Sequence, residues 1–564
     1  MKFSEMKYTR PDIDALRAAL AGVEERIRTA RSAGEQIEAF YEEEKLLSAY
    51  ATQRELASIR NTIDTRDPFY EAERAFFDER SPEVEEADHK VTLALLASPF
   101  RAELEERLGS LLFRNAEIAV RAFSPEIMDS LARENKLMSE YQTLYGQAAV
   151  EWEGKTVPLP MLGPYKESTD PAVRRAAYEK EGAFFDSKRK ELDELYGELV
   201  RLRNEMGRKL GHENFIQLGY DRLGRNCYGY GELKAFRARI LRDVVPVTEK
   251  LRRAQAKRIG VERLSLSDSP LLFAEGNPKP HGSAREILAA GREMYHALSP
   301  ETAEFIDFLY DGELLDVLSK DGKAPGGYCT EIADYQAPFI FSNFNGTSGD
   351  VDVLTHEAGH AFAAYRAFRR GYPRALLSPT IEACEVHSMS MEFLTSPEHH
   401  RFFGGDTARY EYAHAADALL FLPYGCEVDE FQHRMYEEED LTPEGRNAVW
   451  RELEEKYRPS LSAEGLPFYG RGAGWQRQLH IYLDPLYYID YCMAQTVAFQ
   501  FWCEMLADRE TAWKKYLAFV DLGGTRTFEE LVRGAGLRLP YEEGCLADTA
   551  ARIDAWLEQN APAR

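Results

Sequence analysis

Two histidines four residues apart, with a glutamate beside the first, stand out in the stretch LTHEAGHAF: they are His356, Glu357 and His360. On a helix, residues four apart share one face, about 5–6 Å apart at Cβ. Two imidazoles at that spacing can reach one zinc ion, which prefers nitrogen ligands at about 2.0–2.1 Å. Glu357 is rotated around the helix, so it can approach water on the metal without binding the metal. The spacing therefore predicts a zinc site with a general base.

A catalytic zinc site also needs a third protein ligand and an open position for water. Candidates occur in SPTIEACEVHSMSMEFL, where Ser378 and Pro379 predict the start of a second helix. Glu385 and Glu392 are seven residues apart and so lie on one face of that helix. His387 points to a different face from Glu385. Either glutamate alone is also typical of a solvated helix face, so the residues by themselves leave the third ligand open.

Residues around these candidates suggest a supporting contact. Asp352 lies one turn before His356, and metal-bound histidines commonly donate their second N–H to a carboxylate. Asp352 is therefore a candidate partner for that histidine, although it can equally interact with the helix N-terminus. Cys384 precedes Glu385, but adjacent residues on a helix point in different directions, and we expect no role for it.

The elements that must position these residues are mainly helical. Asp350 through Arg369 is expected to form the HExxH helix, with Ser348 or Asp350 as its N-cap. Residues 322–349, which contain FIFSNFN, predict a small sheet directly before that helix. From residue 11 to about residue 145, apolar residues recur every three or four positions, which indicates long helices.

The stretch VEWEGKTVPLPMLGPYKESTDPAVRR interrupts the helical pattern with two short strand-like pieces and several prolines. We therefore predict a lobe boundary near residue 165. This gives an N-terminal helical lobe over residues 1–165, a region over 166–550 that contains the motifs, and a tail of the last helix over 551–564. Residues 469–475, YGRGAGW, are predicted to form a flexible loop, because neither a preceding strand nor a following lysine supports a phosphate loop.

Composition narrows the function classes. Hydrophobic residues make up 44% of the 564 residues, which is enough for a large core. The net charge of −25 opposes nucleic-acid binding, which needs a basic surface. We find neither a leader peptide nor an apolar run long enough for a membrane helix. The seven cysteines form no CxxC pair, which is typical of free thiols in a reducing compartment. The sequence thus predicts a soluble cytoplasmic protein without nucleic-acid or membrane partners.

The segment EVHSMSME resembles the E-V-x-S-x-x-x-E motif of the M3 peptidases, the thimet oligopeptidase and oligoendopeptidase F group, with its first glutamate 29 residues after the first histidine. The resemblance covers about residues 165–550 and also the opening MKFSEMKYTRPD. It implies that His356, His360 and Glu385 hold one zinc ion and that Glu357 is the catalytic base. His387 replaces a proline of some members, and no ligand role is implied for it.

A second segment, LHIYLDPLYYIDYCMAQ, resembles the histidine and tyrosine stretch of the same family. The resemblance implies that His480, Tyr488 and Tyr491 donate hydrogen bonds to the transition state. The spacing departs slightly from the thimet-type pattern, so Tyr487 can take the part given to Tyr488. A strand in FIFSNFN, if it lies at a sheet edge, could pair with a peptide backbone.

The resemblance also implies fold and function. We expect a mainly α protein, a two-lobed all-helical body around a deep substrate channel, with a small β-sheet next to the HExxH helix. Such a channel admits short unfolded peptides, and the 469–475 loop could move over them. The expected activity is that of a zinc-dependent oligoendopeptidase, which hydrolyses internal peptide bonds by glutamate-assisted attack of water. Two alternatives are a zinc carboxypeptidase or dipeptidyl carboxypeptidase, which needs an anchor for the substrate carboxylate, and a non-catalytic peptide-binding protein. The intact motifs argue against the latter.

Overall fold

A computed structural model describes residues 1–562, so the last two residues of the predicted C-terminal tail lie outside the described part. Helices make up 71% of the chain, and the sheets are small, which confirms the mainly α fold. The chain divides into two compact units, each assembled from three separate segments. The first unit contains residues 1–120, 279–405 and 500–537, and the second contains residues 121–278, 406–499 and 538–564.

The N-terminal segment contributes five helices to the first unit. They are α1 (Ile13–Thr29), α2 (Ala33–Ile63), α3 (Pro68–Leu96), α4 (Arg101–Leu108) and α5 (Ser110–Arg121). The oxygen of Ser32 accepts a hydrogen bond from the Glu35 amide at 3.2 Å and caps α2. Helices α1, α2 and α3 pack on one another around a core of aliphatic and aromatic side chains.

Residues 121–278 form the first part of the second unit. Its strands β1 (Ala149–Trp152) and β2 (Lys155–Pro158) form an antiparallel hairpin, which confirms the two predicted strand-like pieces. Its helices are α6 (Met128–Gly146), α7 (Gly163–Lys166), α8 (Pro171–Ser187), α9 (Arg189–Lys209), α10 (Phe215–Arg222), α11 (Tyr230–Arg239) and α12 (Val245–Ile259). Asp170 caps α8, and Pro171 occupies its first turn, where a proline is favoured.

The middle segment of the first unit contains the HExxH motif. Its elements are α13 (Ala284–Leu298), α14 (Pro300–Asp311), β3 (Leu315–Leu318), β4 (Tyr328–Ile332), β5 (Ala337–Phe344), α15 (Gly349–Arg370), α16 (Ile381–Leu394) and α17 (His400–Phe403). The three strands form one sheet in the order β3-β5-β4, with β3 parallel and β4 antiparallel to β5. Helix α15 packs on β4 and β5, so the predicted sheet does lie next to the HExxH helix.

The predicted FIFSNFN strand is β5, and it is the central strand of this sheet. Both of its edges are paired within the chain, so it cannot accept a peptide backbone. The edge strands of this sheet are β3 and β4. The local alternation of residues identifies a strand, but strand order depends on pairing with distant residues, which the local pattern does not contain.

The remaining helices are α18 (Thr407–Glu437), α19 (Pro443–Tyr457), α20 (Pro467–Gly470), α21 (Leu479–Leu483), α22 (Ile489–Ala507), α23 (Arg509–Val520), α24 (Phe528–Gly534) and α25 (Cys545–Gln559). Among residues 1–562, none of the helices combines the length and the apolar character that crossing a membrane requires.

The compact units divide the chain differently from the predicted boundary at residue 165. The N-terminal helices belong with the sheet of the first unit because polar contacts join them. Thr330 Oγ1 on β4 donates to Glu55 Oε2 on α2 at 3.0 Å, and the Asp334 amide donates to Thr52 Oγ1 at 2.8 Å. A proline-rich stretch marks a change of local structure, but it does not reveal which distant segments pack together.

Residues 469–475 are not an open loop. Trp475 is fully buried, and its Nε1 donates to Asn447 Oδ1 at 2.9 Å. A Cβ atom on Gly472 would lie 2.2 Å from the carbonyl oxygen of Asn447, and its φ of +80° favours glycine. The glycines therefore allow a close backbone approach, and the expected mobile loop is replaced by a packed turn.

Candidate metal centre and tyrosine cluster

Helix α15 presents the two histidines of the HExxH motif, and α16 brings a carboxylate to them. Glu385 Oε2 lies 3.4 Å from Nε2 of His356 and 3.5 Å from Nε2 of His360. The three ligand atoms lie within 4.8 Å of one another. Tetrahedral zinc with bonds of about 2.0–2.2 Å places neighbouring ligand atoms about 3.3–3.6 Å apart. The donor set of two imidazoles and one carboxylate therefore fits a zinc ion.

The close approach of α16 depends on a glycine in the motif. A Cβ on Gly359 would lie 2.6 Å from the carbonyl oxygen of His387 and 2.6 Å from Cα of Ser388. Any larger residue would push the two helices apart. Ser388 Oγ in turn donates to Glu385 Oε2 at 3.0 Å, which helps to orient the third candidate ligand.

The start of α15 differs in detail from the prediction. Ser348 is the N-cap residue, but its side chain makes no capping hydrogen bond. The buried Asp350 carboxylate instead accepts from the amides of Asn345 and Gly346, at 2.8 and 2.7 Å. It therefore ties the turn after β5 to the first turn of the HExxH helix.

Glu392 supplies the carboxylate behind His356. Its Oε1 lies 2.7 Å from Nδ1 of His356, so the ring can donate there and keep Nε2 directed to Glu385. Asp352 was the predicted partner of this histidine, but the carboxylate at Nδ1 is that of Glu392. The seven-residue spacing between Glu385 and Glu392 was the available signal, since both lie on one face of α16.

Burial and opposite charges set the ionisation of this group. Burial lowers the pKa of His356, but the Glu385 and Glu392 carboxylates outweigh it, so that pKa lies well above its usual range. Burial raises the pKa of Glu385, but His360 and His356 outweigh it and hold that pKa well below its usual range. Burial raises the pKa of Glu357 above the ordinary value of 4.5. Glu385 is therefore ionised, and metal binding requires an ionised carboxylate ligand.

Two neighbouring residues are not part of the ligand group. His387 is 2% exposed, and its ring packs edge-on against Phe519 with centroids 5.6 Å apart. Burial lowers the pKa of His387 to about 3, so the ring stays neutral near pH 7. The thiol of Cys384 lies 3.5 Å from the carbonyl oxygen of Pro379.

The second unit contains the predicted histidine and tyrosine residues in one cluster. The rings of Tyr488 and Tyr491 lie 5.0 and 5.9 Å from the His480 ring, between centroids. Tyr487 also stacks beside His480 at 5.7 Å. Both Tyr487 and Tyr488 therefore adjoin the histidine, and ring positions alone do not separate the two candidates.

A strained turn sets the direction of these tyrosines. Leu486 has a φ of +68°, which is unfavourable for a residue with a branched side chain. Its amide donates to Gln432 Oε1 at 3.0 Å, and its carbonyl oxygen accepts from Arg225 Nη2 at 2.6 Å. Arg225 also bonds Asp490 at 2.7 Å in the buried interior. The buried polar contacts hold the turn, and no local sequence signal predicted them.

His480 is held by a relay of hydrogen bonds within the second unit. Its Nδ1 lies 2.9 Å from Nε2 of Gln478, and the Tyr424 hydroxyl donates to Oε1 of Gln478 at 2.7 Å. With Oε1 occupied by Tyr424, the amide presents its N–H to Nδ1. The ring proton of neutral His480 is then on Nε2, which makes that atom a hydrogen-bond donor.

Comparisons with known proteins find both matching family models and similar solved structures. The model described as Peptidase M3 N-terminal domain matches residues 3–123, and the model described as Peptidase family M3 matches residues 301–550. None of the curated proteins matches the chain. A solved structure of PZ peptidase A with an inhibitor is 46% identical, covers 99% of both chains and has a TM-score of 0.95.

Two structures assigned to oligoendopeptidase F are also similar. One is 48% identical over 100% of both chains, with a TM-score of 0.95. The other, from Bacillus anthracis str. Ames, is 42% identical over 99% of this chain and 98% of the other, with a TM-score of 0.90. Two family models thus match separate parts of the chain, and these structures are similar to it over nearly its whole length. The chain belongs to peptidase family M3.

Proposed function

We propose that this protein is a zinc-dependent oligoendopeptidase, which hydrolyses internal bonds of short unfolded peptides. The observation that carries the proposal is the close group of His356, His360 and Glu385, whose spacing suits one zinc ion. A bound zinc ion would supply Lewis acidity, which makes water an effective nucleophile near neutral pH. Membership of a metallopeptidase family supports the same reaction class.

Glu357 is the proposed general base. Its place next to His356 on α15 directs it to the same region as the ligands without joining them. The carboxylate takes a proton from the attacking water and later delivers it to the leaving nitrogen. Because burial raises the pKa of Glu357, the carboxylate is a stronger base than an exposed glutamate, which favours proton transfer near neutral pH.

Other side chains orient the reacting groups. Glu392 accepts the Nδ1 proton of His356 and leaves Nε2 as the ligand atom. We further propose, from the family motif, that His480, Tyr488 and Tyr491 donate hydrogen bonds to the carbonyl oxygen of the substrate as negative charge develops on it. Each such donor is worth about 2–4 kcal/mol in comparable sites. The relay through Gln478 supports this role for His480, because it keeps the ring proton on Nε2.

Product analysis tests the class of peptidase. A peptide of about ten residues, acetylated at one end and amidated at the other, is incubated with the zinc-loaded enzyme, and products are identified by mass spectrometry. Cleavage at internal bonds is expected, and a strong chelator should abolish it. Stepwise removal of one or two residues only from peptides with a free carboxyl end, with blocked peptides left intact, would contradict the proposal and indicate a carboxypeptidase.

A further inference from the structure

Arg477 is a positively charged residue of the second unit. It ends the short helical turn Gly474–Arg477 and is partly exposed. Among residues 1–562, the structure shows no hydrogen bond or ion pair from its guanidinium group. A guanidinium group has five N–H donors, and in a sheltered position these normally meet acceptors. Its donors are therefore available to a ligand.

The carboxylates near Arg477 form their hydrogen bonds with other side chains. Glu181, whose charge acts on Arg477, accepts from Lys166 Nζ at 2.6 Å and from the Tyr469 hydroxyl. Glu427 is bound through both oxygens by Arg458, at 2.7 and 2.8 Å. Arg477 thus adds one positive charge beyond those that these carboxylates balance.

Further groups near Arg477 do not remove this excess. Burial raises the pKa of Glu454 to about 7, so near neutral pH this residue carries only part of a negative charge. Its carboxyl group also lies 3.3 Å from Arg458. The tyrosines Tyr424, Tyr469 and Tyr178 also lie near Arg477, and they are uncharged near neutral pH because burial raises the pKa of each. The surroundings are therefore aromatic and polar with a positive bias.

Arg477 adjoins the segment that carries the histidine and tyrosine cluster. Nε2 of the next residue, Gln478, lies 2.9 Å from Nδ1 of His480, and its Oε1 accepts a hydrogen bond from the Tyr424 hydroxyl at 2.7 Å. The Tyr424 ring in turn lies 5.9 Å from the Tyr488 ring, between centroids. A ligand group on Arg477 would therefore lie close to the residues assigned above to substrate binding.

We propose that Arg477 binds a carboxylate of the peptide substrate. The planar guanidinium group matches a carboxylate with two parallel hydrogen bonds, and the local positive charge attracts an anion. The carboxylate comes from the C-terminus of the peptide or from an aspartate or glutamate side chain. This inference rests on the proposed peptidase function and extends it by naming a charged group that the enzyme recognises.

Three peptides with the same cleaved segment test this binding. The first has a free C-terminal carboxylate and no acidic side chain, the second is its C-terminal amide, and the third is the amide with one glutamate added. For the wild type we expect the amide to lose about 10- to 100-fold in kcat/KM relative to the free acid, since a hydrogen bond to a charged group is worth about 1.5–3 kcal/mol. Recovery with the third peptide would identify the acidic side chain as a second source of the carboxylate.

Substitutions of single arginines test whether Arg477 is the residue that binds the carboxylate. In Arg477→Gln the three peptides should differ by less than twofold, because the cation is gone, while Arg477→Lys should keep part of the preference. The matched control is Arg451→Gln, an exposed arginine of the same unit, which should behave as wild type. Zinc content and thermal midpoint of each variant are measured alongside, so that a folding defect is recognised.

The outcomes distinguish this inference from the proposed function. Equal kcat/KM for all three peptides in wild type and in Arg477→Gln would overturn the carboxylate site and leave the peptidase intact. If Arg477→Gln still prefers the peptides that carry a carboxylate, another residue binds that carboxylate, and the site proposed at Arg477 is refuted. Absence of cleavage of any peptide by the zinc-loaded wild type would instead refute the proposed function itself.

Discussion

At the scale of single residues, the two nitrogens of the His356 ring have different partners, and each partner has its own consequence. Nε2 faces Glu385 within the candidate ligand group, while Nδ1 lies 2.7 Å from Glu392. The carboxylate behind the ring makes the ligand nitrogen a better donor and fixes the ring orientation. The strength of metal binding should therefore depend on a residue that does not touch the metal.

We predict that Glu392→Gln lowers zinc affinity by about 10- to 100-fold, the usual cost of removing such a partner. Competition with a fluorescent chelator measures this change. Asp352→Asn is the matched control, since it neutralises the acid that lies one turn before His356 on the same helix. Equal loss of affinity in both variants, or loss only in Asp352→Asn, would refute the role given to Glu392.

The candidate ligand residues were predictable from the sequence, whereas the residues that orient them were only partly predictable. His356 and His360 follow from helical spacing, and Glu385 follows from the family motif. The seven-residue spacing between Glu385 and Glu392 is visible in the sequence, but the sequence does not show that Glu392 contacts His356. The relay of Gln478 and Tyr424 joins residues 54 apart. Contacts of that kind depend on how helices pack, and no local pattern encodes them.

At the scale of elements, the candidate metal centre depends on how closely α16 approaches α15. Gly359 allows this approach because a Cβ atom there would lie 2.6 Å from the His387 carbonyl oxygen. A backbone carbonyl cannot rotate away as a side chain can. The glycine of the motif is therefore a packing requirement as well as a part of the helix.

We predict that Gly359→Ala destabilises the protein by about 2 kcal/mol or more and weakens zinc binding, because the helices must separate. Thermal unfolding and zinc content measure both effects. Gly22→Ala is the control, because Gly22 lies within α1 with open space around its Cα, where alanine should be neutral or stabilising by up to about 1 kcal/mol. A stable, fully zinc-loaded Gly359→Ala variant would contradict the predicted clash.

Helices α2 and α3 enclose a buried carboxyl group, that of Glu43. Glu43 on α2 is 4% exposed, and the negative charge of Asp88 on α3 acts on it. Burial, and then the charge of Asp88, raises the pKa of Glu43 to about 9. Between pH 4.5 and 9 the folded protein therefore holds a proton that the unfolded chain has lost, so this residue makes stability fall as pH rises.

We predict that Glu43→Gln removes this dependence. The gain in stability over wild type should grow by up to about 1.4 kcal/mol for each pH unit from 6 towards 9. Thermal midpoints measured across this range test the prediction, with the exposed Glu38→Gln on the same helix as control. A constant difference between Glu43→Gln and wild type at all pH values would show that Glu43 titrates normally.

At the scale of the whole molecule, the net charge of −25 should influence which peptides reach the enzyme. Opposite charges accelerate encounter at low salt, and added salt screens the effect as the Debye length falls from about 30 Å at 0.01 M to about 8 Å at 0.15 M. The predicted absence of nucleic-acid partners rests on the same charge.

We predict that kcat/KM for a peptide with several lysines falls over this salt range, because screening removes the attraction. An uncharged peptide with the same cleaved segment should change little and is the control. Stopped-flow or initial-rate measurements with internally quenched peptides distinguish the two. An identical salt response of the two peptides would show that the overall field does not steer substrates.

The mainly helical fold and the sheet before the HExxH helix were predictable from the spacing of apolar residues. The order of the strands and the membership of the two compact units were not. Each unit collects segments from three distant parts of the chain, and a sequence pattern describes only neighbours along the chain. The packed turn at residues 469–475 shows the same limit, because glycines serve close packing as readily as mobility.

The decisive test of zinc-dependent hydrolysis is a comparison of wild type with Glu357→Gln in zinc content per chain and in cleavage of a short, internally quenched peptide. We predict about one zinc per chain in both proteins, because His356, His360 and Glu385 are intact in both. We also predict a loss of about 100- to 10,000-fold in rate in the variant, because the base is missing. Cleavage by Glu357→Gln at the wild-type rate would refute the role of Glu357 as the base. Absence of bound zinc in both proteins would refute the assigned zinc ligands.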